Sequence, residues 1–158
     1  MHHRLPDEHE DAAPFRTGWR RAVTETRHVL AQADAAWARH TCPATAECCQ
    51  LTVTKREPWL WPSEWRLILE HLRRARRPLP PPRPDGACPF LDAAGTRCTV
   101  YEARPFGCRT FFCHRITGPK AQPGQRTHAL LDRLAALNVA VQPDAAPRAL
   151  LAWHRDSP

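Results

Sequence analysis

Seven cysteines in two groups constrain this chain more than any other feature: Cys42, Cys48 and Cys49 in the first, Cys88, Cys98, Cys108 and Cys113 in the second. An odd total excludes complete internal pairing into disulfides. Four thiolates suffice to hold a tetrahedral zinc ion or a [4Fe–4S] cluster, so seven exceed one such site by three. The alternative is burial of single cysteines as small apolar residues. If one site exists, folding must bring the two groups together. Cys48 and Cys49 are neighbours, and in extended backbone their side chains face opposite ways. On that reading one of them ligates while the other packs or serves a second site.

The setting favours metal over disulfides. The first fifteen residues carry four acidic side chains and no apolar core, unlike a secretory or transit peptide. No run approaches the ~18 apolar residues of a membrane span. The expectation is a cytoplasmic protein without membrane attachment, where thiols stay reduced and clustered cysteines bind metal. At 158 residues the chain suits one domain. We expect a flexible tail over residues 1–15, carrying His2, His3 and His9, and a single cysteine-cluster domain over residues 16–158.

Periodicity predicts a mainly α fold with irregular cysteine-rich loops and one or two short strands. Trp19, Ala22, Val23, Val29, Leu30, Ala33 and Trp37 recur at three- and four-residue spacing, predicting a helix over residues 18–40. Leu51-Thr52-Val53-Thr54 suggests a short strand. Pro62-Ser63-Glu64 ahead of Trp65, Leu67, Ile68, Leu69 and Leu72 marks a helix over residues 63–76, with Pro in its first turn and an acid at its positive end. Prolines over residues 78–84 end that helix in an extended spacer or exposed loop. Residues 85–117 are rich in turn formers and leave room only for short strands or single helical turns. Leu130, Leu131, Leu134, Leu137 and Val139 predict a helix over residues 127–140. A last short helix opens at residues 144–147 and runs through Leu150, Leu151 and Trp153.

The formal net charge is +7, compatible with an acidic partner or with the arginine-rich, Ala/Pro-rich composition of a GC-rich genome. Arg73, Arg74, Arg76 and Arg77 form a run that would contact phosphates. Cations are equally favoured at a helix C-terminus, and no aromatic residue interleaves the run.

The second cysteine group carries a resemblance. Cys88-Pro-Phe-Leu-Asp followed by Cys98-Thr-Val-Tyr101-Glu-Ala-Arg104-Pro105-Phe-Gly-Cys108-Arg109-Thr-Phe-Phe-Cys113 resembles the signature of the YkgJ-type cysteine-cluster family, to which zinc or iron chelation is ascribed. That family opens with C-x-x-C-x-x-C-C; here Cys42, Thr45, Cys48 and Cys49 occupy those places, so Thr45 stands where a cysteine is usual. A neutral hydroxyl is a poor substitute for a thiolate, which makes this position dispensable or the site altered. Leu60-Trp61-Pro-Ser-Glu64-Trp65 is similar to the segment before the family's helix. The likeness spans residues 42–113.

Around a thiolate cluster the flanking residues make chemical sense. Arg104 and Arg109 can compensate charge and donate hydrogen bonds to sulfur or to carbonyls. Pro89 and Pro105 stiffen the turns, and Phe90, Tyr101, Phe106, Phe111 and Phe112 can exclude water. Candidate ligands are Cys88, Cys98, Cys108 and Cys113 first, then Cys48 and Cys49, with Cys42 the expected bystander because its usual partner is Thr45. His40 and His114 could complete a mixed site. Arg104, Arg109 and Tyr101 are the expected cofactor-flanking residues. The resemblance implies a metal-binding protein with zinc or a [4Fe–4S] cluster as cofactor and a protein as a further partner. Two alternatives stand beside it: a protein-modifying enzyme, because flagellin lysine N-methylases carry a similar cysteine motif, and a basic nucleic-acid-binding adaptor using exposed Trp59 and Trp61. No glycine-rich cofactor loop or acid/base set supports the enzyme.

Overall fold

The computed structural model describes residues 13–111 and 115–158. Expectations for residues 1–12, including His2, His3 and His9, and for Phe112, Cys113 and His114 lie outside the described residues. Within them the order is α1 (Ala13–Ala36), a 3-10 turn (Glu47–Cys49), α2 (Leu51–Thr54), β1 (Trp59–Leu60), α3 (Pro62–Arg74), a second 3-10 turn (Tyr101–Ala103), α4 (Phe106–Arg109), α5 (Gly124–Val141), β2 (Arg148–Ala149) and α6 (Leu150–Arg155). The protein is mainly α, as its periodicity predicts.

The first helix starts at Ala13, so residues 13–15 belong to it and not to a tail, and it ends at Ala36 with a turn leading to the first cysteine. Its buried stripe, Trp19, Ala22, Val23, Thr26, Val29, Leu30 and Ala33, follows the helical period and faces the core. α1 packs against α5, α3 and α4. Val23, Val29, Leu30, Ala33, Leu67, Phe106, Leu130 and Leu134 form this helical core. A buried polar chain runs through it. Thr26 Oγ1 donates to Ser63 Oγ at 2.8 Å, Ser63 N donates to Asn138 Oδ1 at 2.9 Å, and Asn138 Nδ2 donates to Ser63 Oγ and Leu134 O at 2.9 Å each. The three helices thus share one satisfied network, and one of α3's otherwise orphaned first-turn N–H groups is paired.

α3 divides the molecule. Leu67 faces the helical core, while Trp65, Ile68 and Leu72 face a second one with Leu51, Leu60, Cys88, Phe90, Val100, Ala103, Leu150 and Trp153. Cys49 and Cys98 pack at the margin of this second core. Trp65 and Trp153 stack at 6.2 Å between centroids, and Trp153 Nε1 donates to Leu60 O at 2.9 Å.

Three expectations are corrected. Leu51–Thr54 is one turn of α-helix, not a strand: Leu51 is buried against the second core while Val53 is 77% exposed. That one-sided burial at helical spacing overrides the β-branched preference. The strand lies instead at Trp59–Leu60, paired antiparallel with Arg148–Ala149. This pairing also delays the last helix to Leu150, because Arg148 and Ala149 are extended and Leu150 N is held by Pro58 O at 2.9 Å.

The proline stretch is more than a spacer. Pro80 O accepts a bond from His154 Nε2 at 2.7 Å, Arg77 Nη1 donates to Thr99 O at 3.1 Å, and Arg83 Nη1 donates to Leu91 O and Asp92 O at 3.2 and 2.7 Å. The strap is fastened across the second core at both ends. Beyond it a short hairpin folds back: Leu91 bridges Cys98, and Thr99 N donates to Phe90 O at 2.7 Å. Its tip needs Gly95 at φ 72°, the left-handed conformation that glycine adopts without steric cost. Asp92 closes the tip by accepting from Thr96 N at 2.7 Å and Arg97 N at 3.2 Å. No helix among the described residues is long and apolar enough to cross a membrane.

Candidate metal centre

The 3-10 turn at Glu47–Cys49 sets Cys48 and Cys49 at the end of a loop whose backbone is left-handed at Ala44 (φ 54°) and Ala46 (φ 57°). Non-glycine residues in that region store strain that the surrounding structure must hold. Because the two cysteines sit in a tight turn, they are not on opposite faces as extended backbone would place them. Their thiols interact with each other.

Cys88 and Cys98 flank the hairpin, and Cys108 sits on α4. The two cysteine groups meet through the main chain: Cys88 N donates to Cys49 O at 2.8 Å. Cys49 stands at the centre of the side chains, its thiol interacting with those of Cys48, Cys88 and Cys98. One cavity of about 320 Å³ is lined by Cys42, Cys48, Cys49, Cys88, Cys98 and Cys108, with Thr45 on its wall. Cys88 is buried, Cys49, Cys98 and Cys108 are half-buried, and Cys42 and Cys48 are exposed.

The thiols differ electrostatically. The interaction with Cys49 brings Cys48 down to about 6, helped by the Arg104 cation, and the same partner brings Cys98 to about 7. Cys49 is pushed upward, first by its interaction with Cys48 and then by Cys88, Cys98 and burial. Burial, followed by the nearby Cys88, Cys48 and Cys98 charges, pushes Cys108 well above the ordinary thiol value. Cys48 and Cys98 are therefore the thiols most easily ionised, and thiolate is the form that ligates soft metals.

Among the described residues no group of three or more His, Cys, Asp or Glu side chains stands ready to hold a metal ion. The thiols face one another around Cys49. As a donor set they nevertheless suit a thiophilic metal: soft sulfur, partly ionised, at one cavity, with cations beside it.

Arg104 lies with its guanidinium 3.6 Å from the Tyr101 ring centroid, donates through Nε to Tyr101 O at 3.0 Å, and reaches Asp34 of α1 at 3.7 Å. Arg109 does not bond sulfur. It donates to Arg104 O at 2.7 Å and Glu102 O at 2.8 Å, and it pairs with Asp34. Its role is to hold the carbonyls of the loop between Cys98 and Cys108. Asp34, which receives both arginines, carried no sequence signal, being one polar residue on the outer face of a helix.

The aromatic shield is partial. Phe90 is buried beside the cysteines, but Tyr101 is 48% exposed. Phe106 turns away into the helical core with Val23, Leu130 and Leu134. Phe111 lines the cavity under the Arg56 guanidinium, 5.5 Å from its ring centroid. His40 is not on the cavity wall; its Nε2 donates to Pro119 O at 3.2 Å and its ring packs on Trp37. Trp59 is exposed, but Trp61 is half-buried against the helical core. In the arginine run Arg74 pairs with Glu70 at 2.5 Å and Arg77 is committed to Thr99 O, so half of the run is held by the protein itself.

Glu64 is the residue whose reach the sequence did not disclose. It is 1% exposed. Oε2 accepts from Trp61 N at 2.8 Å, the local cap expected of an acid in a first helical turn, while Oε1 accepts from Phe106 N at 2.6 Å. Burial raises its carboxyl to about 7, against the two N–H bonds and the Arg109 charge, which act the other way.

Comparison with known families finds one match: residues 40–127 fit the CxxCxxCC family, the domain to which zinc or iron chelation is ascribed. Comparisons with curated proteins and with solved structures find no match. The matched span is more than half of the chain and contains all seven cysteines. The chain belongs to the CxxCxxCC family.

Proposed function

We propose that this member of the CxxCxxCC family binds its metal through thiolates drawn from both cysteine groups, as a binding module without catalysis of its own. Cys88, Cys98, Cys108 and Cys113 are the first ligand choices, joined by Cys48 or Cys49, with Cys42 a bystander. The observation that carries this reading is the Cys49 O to Cys88 N bond at 2.8 Å, which ties the first group to the second at one cavity. Metal binding requires the thiols around Cys49 to give up their protons to become ligands. Arg104, supported by Tyr101, offsets the thiolate charge, and Arg109 keeps the loop between two ligands in shape. A reducing compartment such as the cytoplasm keeps the thiols available.

Zinc and a [4Fe–4S] cluster both accept four thiolates. Anaerobic purification followed by elemental analysis and absorbance separates them: brown protein with broad visible absorbance and iron means a cluster, and colourless protein with zinc means a single ion. Cys98→Ser and Cys108→Ser should each lose metal, and Cys42→Ser should retain it. Absence of zinc and iron after anaerobic reconstitution overturns the reading, and loss of metal in Cys42→Ser alone overturns the ligand ranking.

A further inference from the structure

A fully buried carboxylate lies between the helical core and the cysteine loops, and no ligand role accounts for it. Glu64 stands in the first turn of α3, yet its Oε1 receives the N–H of Phe106 at 2.6 Å, far along the chain. Phe106 opens α4, whose third residue is Cys108. Pro105 has no N–H, so Phe106 supplies the first donor of that short helix. Cys108 N in turn bonds Pro105 O at 3.0 Å. Arg109 fastens the other end of α4 through Arg104 O and Glu102 O. The beginning of α4 depends on one carboxylate that also accepts Trp61 N at 2.8 Å. A second cavity, of about 540 Å³, opens beside it and is lined by Glu64, Phe106, Cys48 and Cys108 together. Cys48 and Cys108 line both cavities, so α4 forms part of the wall between them and a shift of its first residue moves a thiol.

We propose that Glu64 is a positioning residue for Cys108: by holding the Phe106 N–H it fixes the start of α4 and thereby aims the Cys108 thiol at the site shared with Cys48, Cys49, Cys88 and Cys98. This rests on the metal-binding reading above, and it adds a residue that touches no metal. Without the carboxylate the Phe106 N–H is buried and unpaired. The four-residue helix then shifts toward water, carrying Cys108 with it. Glutamine is the informative replacement. It keeps the shape and one acceptor oxygen, but its NH₂ faces one of the two N–H donors, so the two bonds cannot both persist.

The test uses the reduced full-length chain with cobalt(II) as the metal probe, reading each cysteine separately by iodoacetamide labelling and mass spectrometry. Glu64→Gln should keep the wild-type circular dichroism and bind cobalt roughly 10- to 100-fold more weakly, the range expected when an outer hydrogen bond is removed. In the cobalt-loaded variant Cys108 should react at its metal-free rate while Cys88 and Cys98 stay protected. Glu64→Asp, which retains two acceptor oxygens, should restore part of the Cys108 protection. Wild-type protection of Cys108 in Glu64→Gln overturns the proposal, and so does an equal loss of protection at every cysteine, which marks a general structural role. Should Glu64→Gln fail to fold, the Glu64→Asp labelling and hydrogen exchange at the wild-type Phe106 amide decide: slow exchange supports the bond, and the rate of an open amide overturns it. If cobalt protects no thiol in the wild type, the metal-binding reading fails and this inference falls with it.

Discussion

The two sides of α3 are built by different means. On one side, α1 and α5 bury a periodic apolar stripe and share the Thr26–Ser63–Asn138 network. This half satisfies its own backbone within helices. On the other side the cysteine loops have a two-residue strand pair, single helical turns and a hairpin, held by side chains that reach across long stretches of chain: Glu64 to Phe106, Arg77 to Thr99, Arg109 to Asp34. The loops contribute Leu51, Cys88, Phe90, Val100 and Ala103 to the second core, which α3, β1 and α6 complete. The difference shows where metal would add stability: the helical half is complete without it, whereas the loop half holds thiols whose repulsion and burial a metal would relieve.

Removing metal tests that difference most severely. Residues 85–111 should lose hydrogen-exchange protection on chelation while α1 and α5 keep theirs, because local opening follows the loss of the contacts that close a segment. Equal protection in the two forms would refute the contrast. Within the helical half the response should be that of an ordinary core. Leu134 is fully buried, so Leu134→Ala should destabilise the protein by about 2–5 kcal/mol in denaturant melts, with or without metal.

A smaller effect joins the halves. The Glu64 carboxyl is raised from an ordinary value of 4.5 to about 7 in the folded protein. Below about pH 4.5 both states hold the proton and stability does not change with pH through Glu64. Between there and pH 7 the folded chain keeps a proton that the unfolded chain releases, so stability falls as pH rises, by roughly 1.4 kcal/mol per unit at most. Above 7 the loss is complete. Cys48 and Cys98 also titrate in this range, so the quantity to measure is the difference in slope between wild type and Glu64→Gln in metal-free, reduced protein from pH 5 to 7. Identical slopes would mean the carboxyl is not desolvated as its burial implies. At the other extreme, Val53→Ser on the open face of α2 should change stability by no more than about 0.5 kcal/mol.

Much of the helical half was legible in sequence. Trp19 to Ala33 and Leu130 to Leu134 repeat at the helical period, Pro62 and Glu64 announce the start of α3, and its end at Arg74 falls just ahead of the prolines, closed by left-handed Arg76. Leu51–Thr54 misled because four residues hold too little periodicity to separate a strand from one helical turn. Its state follows from Leu51 finding the second core.

Chain order alone determined the thiol chemistry and the family: the cysteine types, their spacing and the Pro, Arg and aromatic residues between them are local and were readable as such. The meeting of Cys49 with Cys88, the tight turn that joins Cys48 to Cys49, and the ties from Glu64 and Asp34 to the cysteine loops came only with the tertiary structure. Hydrogen bonds between residues far apart in the chain leave no periodic trace in it, since either partner alone is an ordinary polar residue on a helix. Burial turns those polar residues into fixed supports, because a buried N–H or carboxylate must keep its partner or bear the cost of losing water.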